Sequence, residues 1–412
     1  MRLAVVGTGI SGLVSAHLLA ADHDVVVFEQ ADTIGGHTHT VTVPGGARVD
    51  TGFIVFNEWT YPSFVRLLER LGVASQPSNM SFGVRDEARD LEYSATSLSA
   101  LFATRRNWVR PQHYRMLLDL FRFSRRAPQV LHDDGDDLSL GEFLEREGFG
   151  KELVEHFVIP MSAAIWSADR REVLAGPARF FVRFFVNHGM LNLVHQPTWR
   201  VVCGGSASYL GPLTAPFRDR IRVGTPVTAA RRQDQGVELT LRGGGRERFD
   251  EVILACHSDQ ALALLADATD AEREVLGAIR YQQNDTVLHT DVSVLPRRKQ
   301  AWAAWNYHLT GREGGPVAVT YNMNLLQGLS EPETYCVTLN PNRPIDPARV
   351  IRRIRYHHPV FTRQAVAAQK QFERISGVRR THFAGAYWYN GFHEDGVRSA
   401  LRVARRFGRW LS

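Results

Sequence analysis

Arg2-Leu3-Ala4-Val5-Val6-Gly7-Thr8-Gly9-Ile10-Ser11-Gly12-Leu13-Val14-Ser15-Ala16-His17-Leu18-Leu19 is the stretch whose reading decides the fold. After Arg2 the run to Val6 is wholly apolar, as in a strand buried on both faces. Three glycines follow at once, and from Leu13 the apolar residues recur at helical spacing. Val25-Val26-Val27-Phe28 reads as a second strand and ends at Glu29. Strand, glycine turn, helix, strand and terminal acid in that order form a dinucleotide-binding unit. Gly7 permits the tight turn, Gly9 lets a pyrophosphate approach the backbone, and Gly12 lets helix and strand pack closely. Ile10 and Ser11 open the helix whose amino terminus attracts phosphate charge. Glu29 can accept hydrogen bonds from both ribose hydroxyls. A purely structural glycine turn would not need that acid.

Composition bounds the remainder. At about 150 residues per domain, the 412 residues make two or three domains. Apolar residues at 44% and charged residues at 22% exclude a disordered chain, a collagen-like repeat and a disulfide-stapled mini-protein. Cys203, Cys256 and Cys336 are far apart and show no C-x-x-C spacing, so neither a disulfide framework nor a metal site is expected. A reducing, cytoplasmic compartment is the expectation. The amino-terminal apolar run stops at Gly7, too short for a secretory signal. No stretch approaches the ~18 apolar residues that span a bilayer, so the chain reads as soluble or peripheral.

Ala31-Asp32-Thr33-Ile34-Gly35-Gly36-His37 sets a glycine pair just after the second strand, and Val49-Asp50-Thr51-Gly52-Phe53 follows. These segments resemble the flavin amine oxidase superfamily. The resemblance implies non-covalent FAD, with Gly35 and Gly36 against the cofactor and Thr51, Gly52 and Phe53 close to the flavin ring. His37 stands where the superfamily usually carries arginine. Two later returns to the same unit fit this pattern. The first is Val201 to Leu210 with Ile221 to Val227, where the Val227 backbone would meet adenine. The second is Thr381 to Ala386, then Tyr387 to Val397, leading into a helix from about Val397 to Phe407. Many relatives carry an acid directly after the strand that ends at Gly385; here that place is Ala386, and Glu394 or Asp395 takes over its work. The expected fold is α/β: a Rossmann-type FAD-binding domain (1–85, 200–270 and 371–412) with a discontinuous α+β substrate domain (86–199 and 271–370). Residues 86–199 read as mostly helical. Alternating strands are expected at 301–308, 316–323 and 335–339.

A narrower resemblance rests on Asp50 to Asn57, Tyr61-Pro62, Pro160 to Ser167, Trp305-Asn306-Tyr307 and Gly391 to Gly396. These phrases resemble bacterial FAD-dependent oxidoreductases found beside cyclopropane-fatty-acid-synthase-like methyltransferases. That group includes a fatty-acyl desaturase of methylated furan fatty acid synthesis. The resemblance implies dehydrogenation of a methyl-branched or unsaturated fatty-acyl lipid or phospholipid, with a lipid methyltransferase as partner. Alternatives are an amine or porphyrinogen-type oxidase, or a flavoprotein that serves a methyltransferase without oxidising a substrate itself. Flavin N5 is the main reactive centre, so the protein's own candidates are few: Tyr307 and Trp305 as cavity residues on one strand face, and His257 at the end of a buried strand. Many amine oxidases place a lysine near N5. Lysine occurs here only at Lys151, Lys299 and Lys370, and Lys299 reads as an exposed loop residue.

Two further segments carry a pattern. Leu101 to Arg126 holds seven arginines against one acid, Asp119, a net +6 equal to the excess of the whole chain. Aromatic and aliphatic residues are interleaved with the arginines. The segment reads either as an interfacial helix on an anionic membrane or acyl carrier, or as a surface helix whose apolar stripe packs on the core. No nucleic-acid module is recognisable. Phe180, Phe181, Phe184 and Phe185 share one helical face, for core packing or for the wall of an acyl tunnel.

Overall fold

The computed structural model describes residues 1–133, 138–166, 170–192, 196–310 and 318–411. The strand Arg2–Val6 lies at the centre of a five-stranded sheet, ordered Ile221–Arg222, Asp24–Phe28, Arg2–Val6, Glu251–Leu254, Thr381–Phe383. Every neighbouring pair is parallel. Leu3, Ala4 and Val5 are completely buried, because both faces of the strand are covered. Helix Ile10–Leu19 covers one face and is apolar almost all round. A helix of that kind must be enclosed, and helix His393–Arg406 encloses it with Val397, Ala400, Val403 and Ala404 while Arg398, Arg405 and Arg406 face outward. An antiparallel meander, Val227–Gln233, Gly236–Leu241 and Arg246–Phe249, covers the sheet's other face with Val237, Leu239 and Phe249. This is the expected mixed α/β architecture on a Rossmann-type core.

A second, seven-stranded sheet is ordered Val350–Pro359, Tyr281–His289, Cys336–Leu339, Ala318–Asn322, Trp305–Leu309, Phe82–Asp86, Leu91–Ser94. Its pairs are antiparallel except Trp305–Leu309 with Phe82–Asp86. Cross-strand partners point to the same side. Trp305, Tyr307, Val319, Tyr321, Val337, Leu339 and, beyond the strand Tyr281–His289, Tyr356 and His358 therefore share one face. The expected boundary at residue 85 cuts through Phe82–Asp86, a strand held in this sheet by its pairing with Trp305–Leu309. Of the expected strand at 316–323, Pro316 and Val317 lie outside the described residues. The carboxy-terminal helix begins at His393, four residues before the expected start at Val397.

The helices from the end of Pro111–Arg126 to Ala178–Asn187 form a third region with its own core, while Leu101, Met116 and Leu117 pack with the seven-stranded sheet. Helix Ala178–Asn187 buries Phe181, Phe184 and Phe185, and Trp166 meets Phe181 and Phe184 edge-on at 4.9 and 4.7 Å. Phe180 is half-buried and stacks on Phe361 at 5.0 Å. The phenylalanine-rich segment is thus core packing. Among the described residues, no helix is long and apolar enough to cross a membrane.

Gly12 is the tightest point of the first sheet. A Cβ there would lie 2.0 Å from the Gly7 carbonyl oxygen and 3.2 Å from Ala255 Cβ. At an open helix position Gly→Ala stabilises by up to about 1 kcal/mol. Gly12→Ala is expected to do the reverse, destabilising by about 1–3 kcal/mol through overpacking against backbone. A lowered thermal unfolding midpoint checks the sign.

Candidate functional site

The glycine turn opens at the carboxyl end of Arg2–Val6. Gly7 has φ +106°, a left-handed conformation that glycine adopts without strain. A Cβ at Gly9 would meet nothing within 4 Å. Gly9 is also the N-cap of helix Ile10–Leu19 and offers no side-chain cap, so the first N–H groups of that helix look outward. The Glu29 carboxylate accepts hydrogen bonds from the Thr8 N–H at 2.9 Å, the Thr8 hydroxyl and the Ala31 N–H at 2.9 Å. Thr225 N–H donates to the Glu29 carbonyl at 2.8 Å, which brings the segment leading to Val227 alongside. Gly35 N–H donates to Thr8 O at 3.1 Å, and a Cβ at Gly36 would lie 3.1 Å from Gly9 Cα. Gly7, Gly9, Ile10, Ser11, Gly12, Glu29, Gly35, Gly36 and Val227 thus gather at one mouth.

The first turn of a second helix reaches the same place. A Cβ at Gly396 would sit 2.5 Å from Ile10 Cγ2 and 3.0 Å from Ser11 Oγ. Helices Ile10–Leu19 and His393–Arg406 therefore cross at their amino-terminal ends, and Val397 is completely buried there. Two positive helix ends converge on one side of the mouth.

Next to them lies the segment around Asp50. Its buried carboxylate accepts from Thr40 Oγ1 at 2.6 Å, Ser206 N–H at 2.9 Å and Gln327 Nε2 at 3.1 Å. Burial still pushes it up to about 6. Thr51 hydroxyl meets His39 Nδ1 at 2.6 Å and Tyr356 OH at 3.0 Å. A Cβ at Gly52 would fall 2.2 Å from the His37 carbonyl oxygen, and Phe53 N–H donates to that oxygen at 2.7 Å. The Phe53 ring lies flat on His393, with centroids 3.7 Å apart and planes within 4°.

A cluster of imidazoles was not legible beforehand. His37 stacks on Tyr356 at 4.9 Å and lies 5.4 Å from His358 and 6.3 Å from His257. His257 lies flat on Tyr281 at 4.4 Å and is 6.3 Å from His357. Burial holds His37 and His257 at about 4 and His358 at about 3, so all three rings are neutral near pH 7. Among the described residues, no three His, Cys, Asp or Glu side chains are placed to hold a metal ion. Tyr281, Tyr356, His357 and His358 come from two polar strands that sequence reasoning passed over. The one available signal was the alternation Ile354, Tyr356, His358.

Several expected roles change. Glu394 accepts from Ser63 N–H at 3.2 Å and Phe64 N–H at 2.8 Å, closing the amino terminus of helix Pro62–Arg70. Asp395 accepts from Asn390 N–H at 3.1 Å and Phe392 N–H at 3.0 Å, closing its own turn. Closing these turns is the role the structure shows for both carboxylates. Gly385 is required by a close contact: a Cβ would lie 2.1 Å from the Tyr387 ring. Tyr307 is 2% exposed, and burial holds its phenol well above the usual range, so it stays protonated near pH 7. Trp305 is half-buried and meets Tyr321 edge-on at 5.2 Å, with its Nε1 unpartnered. His257 has Tyr281, His37 and His357 as ring neighbours, so the expected trio separates into two groups.

A family model described as flavin containing amine oxidoreductase matches residues 10–299. The chain belongs to that family. Protoporphyrinogen oxidase 2 (chloroplastic/mitochondrial) of Arabidopsis thaliana is 26% identical over 180 residues, 41% of this chain and 33% of that protein. 15-cis-phytoene desaturase of Synechococcus elongatus is 23% identical over 188 residues, 42% of this chain and 39% of that protein. The chain thus matches 33–39% of the length of these curated relatives. Its fold is that of a CLA-producing fatty acid isomerase from P. acnes (TM-score 0.70, 17% identity, 98% of both chains). It is equally that of putrescine oxidase bound to putrescine (TM-score 0.72, 14% identity, 99% of both chains). Membership in a flavin-containing family implies a flavin cofactor. The mouth fits such a group: Gly9 is open, the helix beneath it has no side-chain cap, and the buried His37 Nε2 has no partner.

Burial pushes Asp395 up to about 7, against ~3.9 for an unfolded aspartate. Between those values the folded protein holds a proton that the unfolded chain has released. The resulting stabilisation is complete below pH ~4 and is lost as pH rises to 7. Asp395→Asn keeps an oxygen for the Asn390 and Phe392 donors and cannot ionise. Its stability relative to the native protein is expected to increase between pH 4 and 7 and level off above, as read by thermal unfolding across a buffer series.

Proposed function

We propose that the chain binds FAD non-covalently and dehydrogenates a fatty-acyl chain, methyl-branched or already unsaturated. The observation that carries this reading is the patch of Trp305, Tyr307, Val319, Tyr321, Val337 and Leu339 on one sheet face, six residues without a charge; Asp86 beside Leu309 and Arg352 beside Leu288 bring charge to that face only outside the patch. Such a patch accepts methylene groups and excludes water. Lys299, the lysine nearest these strands in sequence, is exposed and lies 5.7 Å from the Trp302 ring centroid, so the lysine of many amine oxidases has no counterpart in it. A fatty acid isomerase is among the proteins that share this fold, and a phytoene desaturase is locally similar in sequence.

FAD, when bound, supplies the hydride acceptor. In this reading Gly7, Gly9, Ile10, Ser11 and Gly12 hold the pyrophosphate, and Glu29 accepts from the ribose. Gly35, Gly36, His37 and Val397 pack beside the cofactor. Trp305 and Tyr307 wall the acyl chain, and His257 lies on the cofactor side with His37. Replacing Glu29 with alanine is expected to weaken FAD binding by at least about tenfold, because a hydrogen bond to a charged group contributes ~1.5–3 kcal/mol. Fluorescence titration of FAD into apoprotein measures it.

A second reading, an amine oxidase, is favoured by the Trp305 and Tyr321 rings, set at 81° and 5.2 Å apart, walls of the kind that hold an ammonium group. Anaerobic mixing separates the two. An unsaturated or methyl-branched acyl lipid is expected to bleach the flavin absorbance while primary amines leave it unchanged; the opposite pattern selects the amine oxidase.

A further inference from the structure

Thirteen large hydrophobic side chains are exposed among the described residues, and six of them fall within 98–121: Leu98, Trp108, Val109, Tyr114, Leu118 and Phe121. Leu118 is 70% exposed, Val109 78% and Trp108 57%. Helix Pro111–Arg126 accounts for the pattern. Its inner face buries His113, Met116 and Phe123. Tyr114, Leu118 and Phe121 follow at i, i+4 and i+7, a stripe on nearly the opposite side. The core interaction that a surface helix needs is therefore already made, and the outer stripe is additional to it.

The stripe is extended and bordered. Tyr114 OH donates to the Trp108 carbonyl at 2.9 Å, and Trp108 stacks on Phe102 at 4.1 Å, which fixes Trp108 and Val109 at the end of the stripe. Arg115, Arg122 and Arg126 run along one flank at i, i+7 and i+11, and Arg105 and Arg106 precede Trp108. Arg122 is occupied by Asp119 and by the Glu147 and Gly148 carbonyls. Arg105, Arg106 and Arg115 are exposed and have no ion pair among the described residues.

We propose that this face docks on an anionic lipid bilayer. Exposed Trp, Tyr, Phe and Leu enter the interfacial layer while unpaired arginines meet headgroup charge. A nucleic acid would satisfy the arginines but would leave Leu118, Val109 and Phe121 in water. The surface and its occupant do not depend on which substrate the flavin oxidises.

The test is co-sedimentation of the flavin-loaded protein with vesicles of equal parts phosphatidylglycerol and phosphatidylcholine, against phosphatidylcholine alone. Binding to the anionic vesicles that weakens with salt is expected. L118S/F121S, which leaves every charge in place, is expected to lose about tenfold in vesicle affinity, and R105E/R106E/R115E to lose the preference for anionic lipid. Both variants should keep their flavin absorbance and thermal midpoint, since the altered side chains are exposed. W410A, at an exposed tryptophan elsewhere, should bind as the native protein does. Absence of binding to anionic vesicles at low salt overturns the proposal. So does native affinity in L118S/F121S, or equal loss in W410A.

Discussion

The whole site depends on how closely three pieces of backbone approach one another at the carboxyl ends of the parallel strands. The Gly7 carbonyl occupies the volume that a Gly12 side chain would need, and Ile10 occupies the volume that a Gly396 side chain would need. Those two contacts bring helix Ile10–Leu19 down onto the sheet and helix His393–Arg406 down onto the first helix. The result is a pair of helix amino termini aimed at one mouth. Their partial positive charges are fixed by the fold rather than carried on flexible side chains, so they require no reorganisation when an anionic ligand arrives. The apolar stripes that enclose these helices are what keep the dipoles in register.

A second layer of constraint is polar. Asp50 joins three pieces of chain: Thr40 on the strand paired with its own, Ser206 after Gly204-Gly205, and Gln327 at the end of helix Met323–Gln327. Glu394 ties the carboxy-terminal helix to helix Pro62–Arg70. Burial raises Asp50, Glu394 and Asp395 alike, although backbone and hydroxyl donors oppose it. Asp50 thus reaches the helix that follows Ala318–Asn322, while Glu394 and Asp395 fix elements around the Rossmann-type core, and the fold resists the ionisation of all three. Holding such buried groups in place carries some cost in stability.

What was legible in the sequence follows from how local the physics is. The strand–turn–helix at Arg2 to Leu19 is specified within one turn of chain, and its glycines can be assigned without knowing anything distant. Glu29 was readable for the same reason. The turn-closing bonds of Glu394 and Asp395 were not legible because their partners, Ser63, Phe64 and Asn390, depend on tertiary contacts or on turn geometry that no spacing encodes. Val350–Pro359 was passed over because an edge strand rich in arginine and histidine lacks the apolar alternation of a half-buried one. Once paired with Tyr281–His289, it delivers Tyr356 and His358 to the mouth. Tyr307 shares a face with Trp305 as alternation predicts, but alternation says nothing of depth, and depth keeps its phenol protonated.

His37 shows how these constraints combine. The family's usual arginine would bring a permanent charge to a position stacked on Tyr356 and crowded by His257 and His358, and a charge so enclosed requires a matching partner. Among the described residues the neighbourhood offers rings instead, and desolvation keeps them neutral. A neutral imidazole packs there as a small aromatic and still presents Nε2 as a hydrogen-bonding atom. The positive potential that an arginine would have contributed at this point must then come from elsewhere in the mouth. The two converging helix termini are the part of the fold already built to provide it.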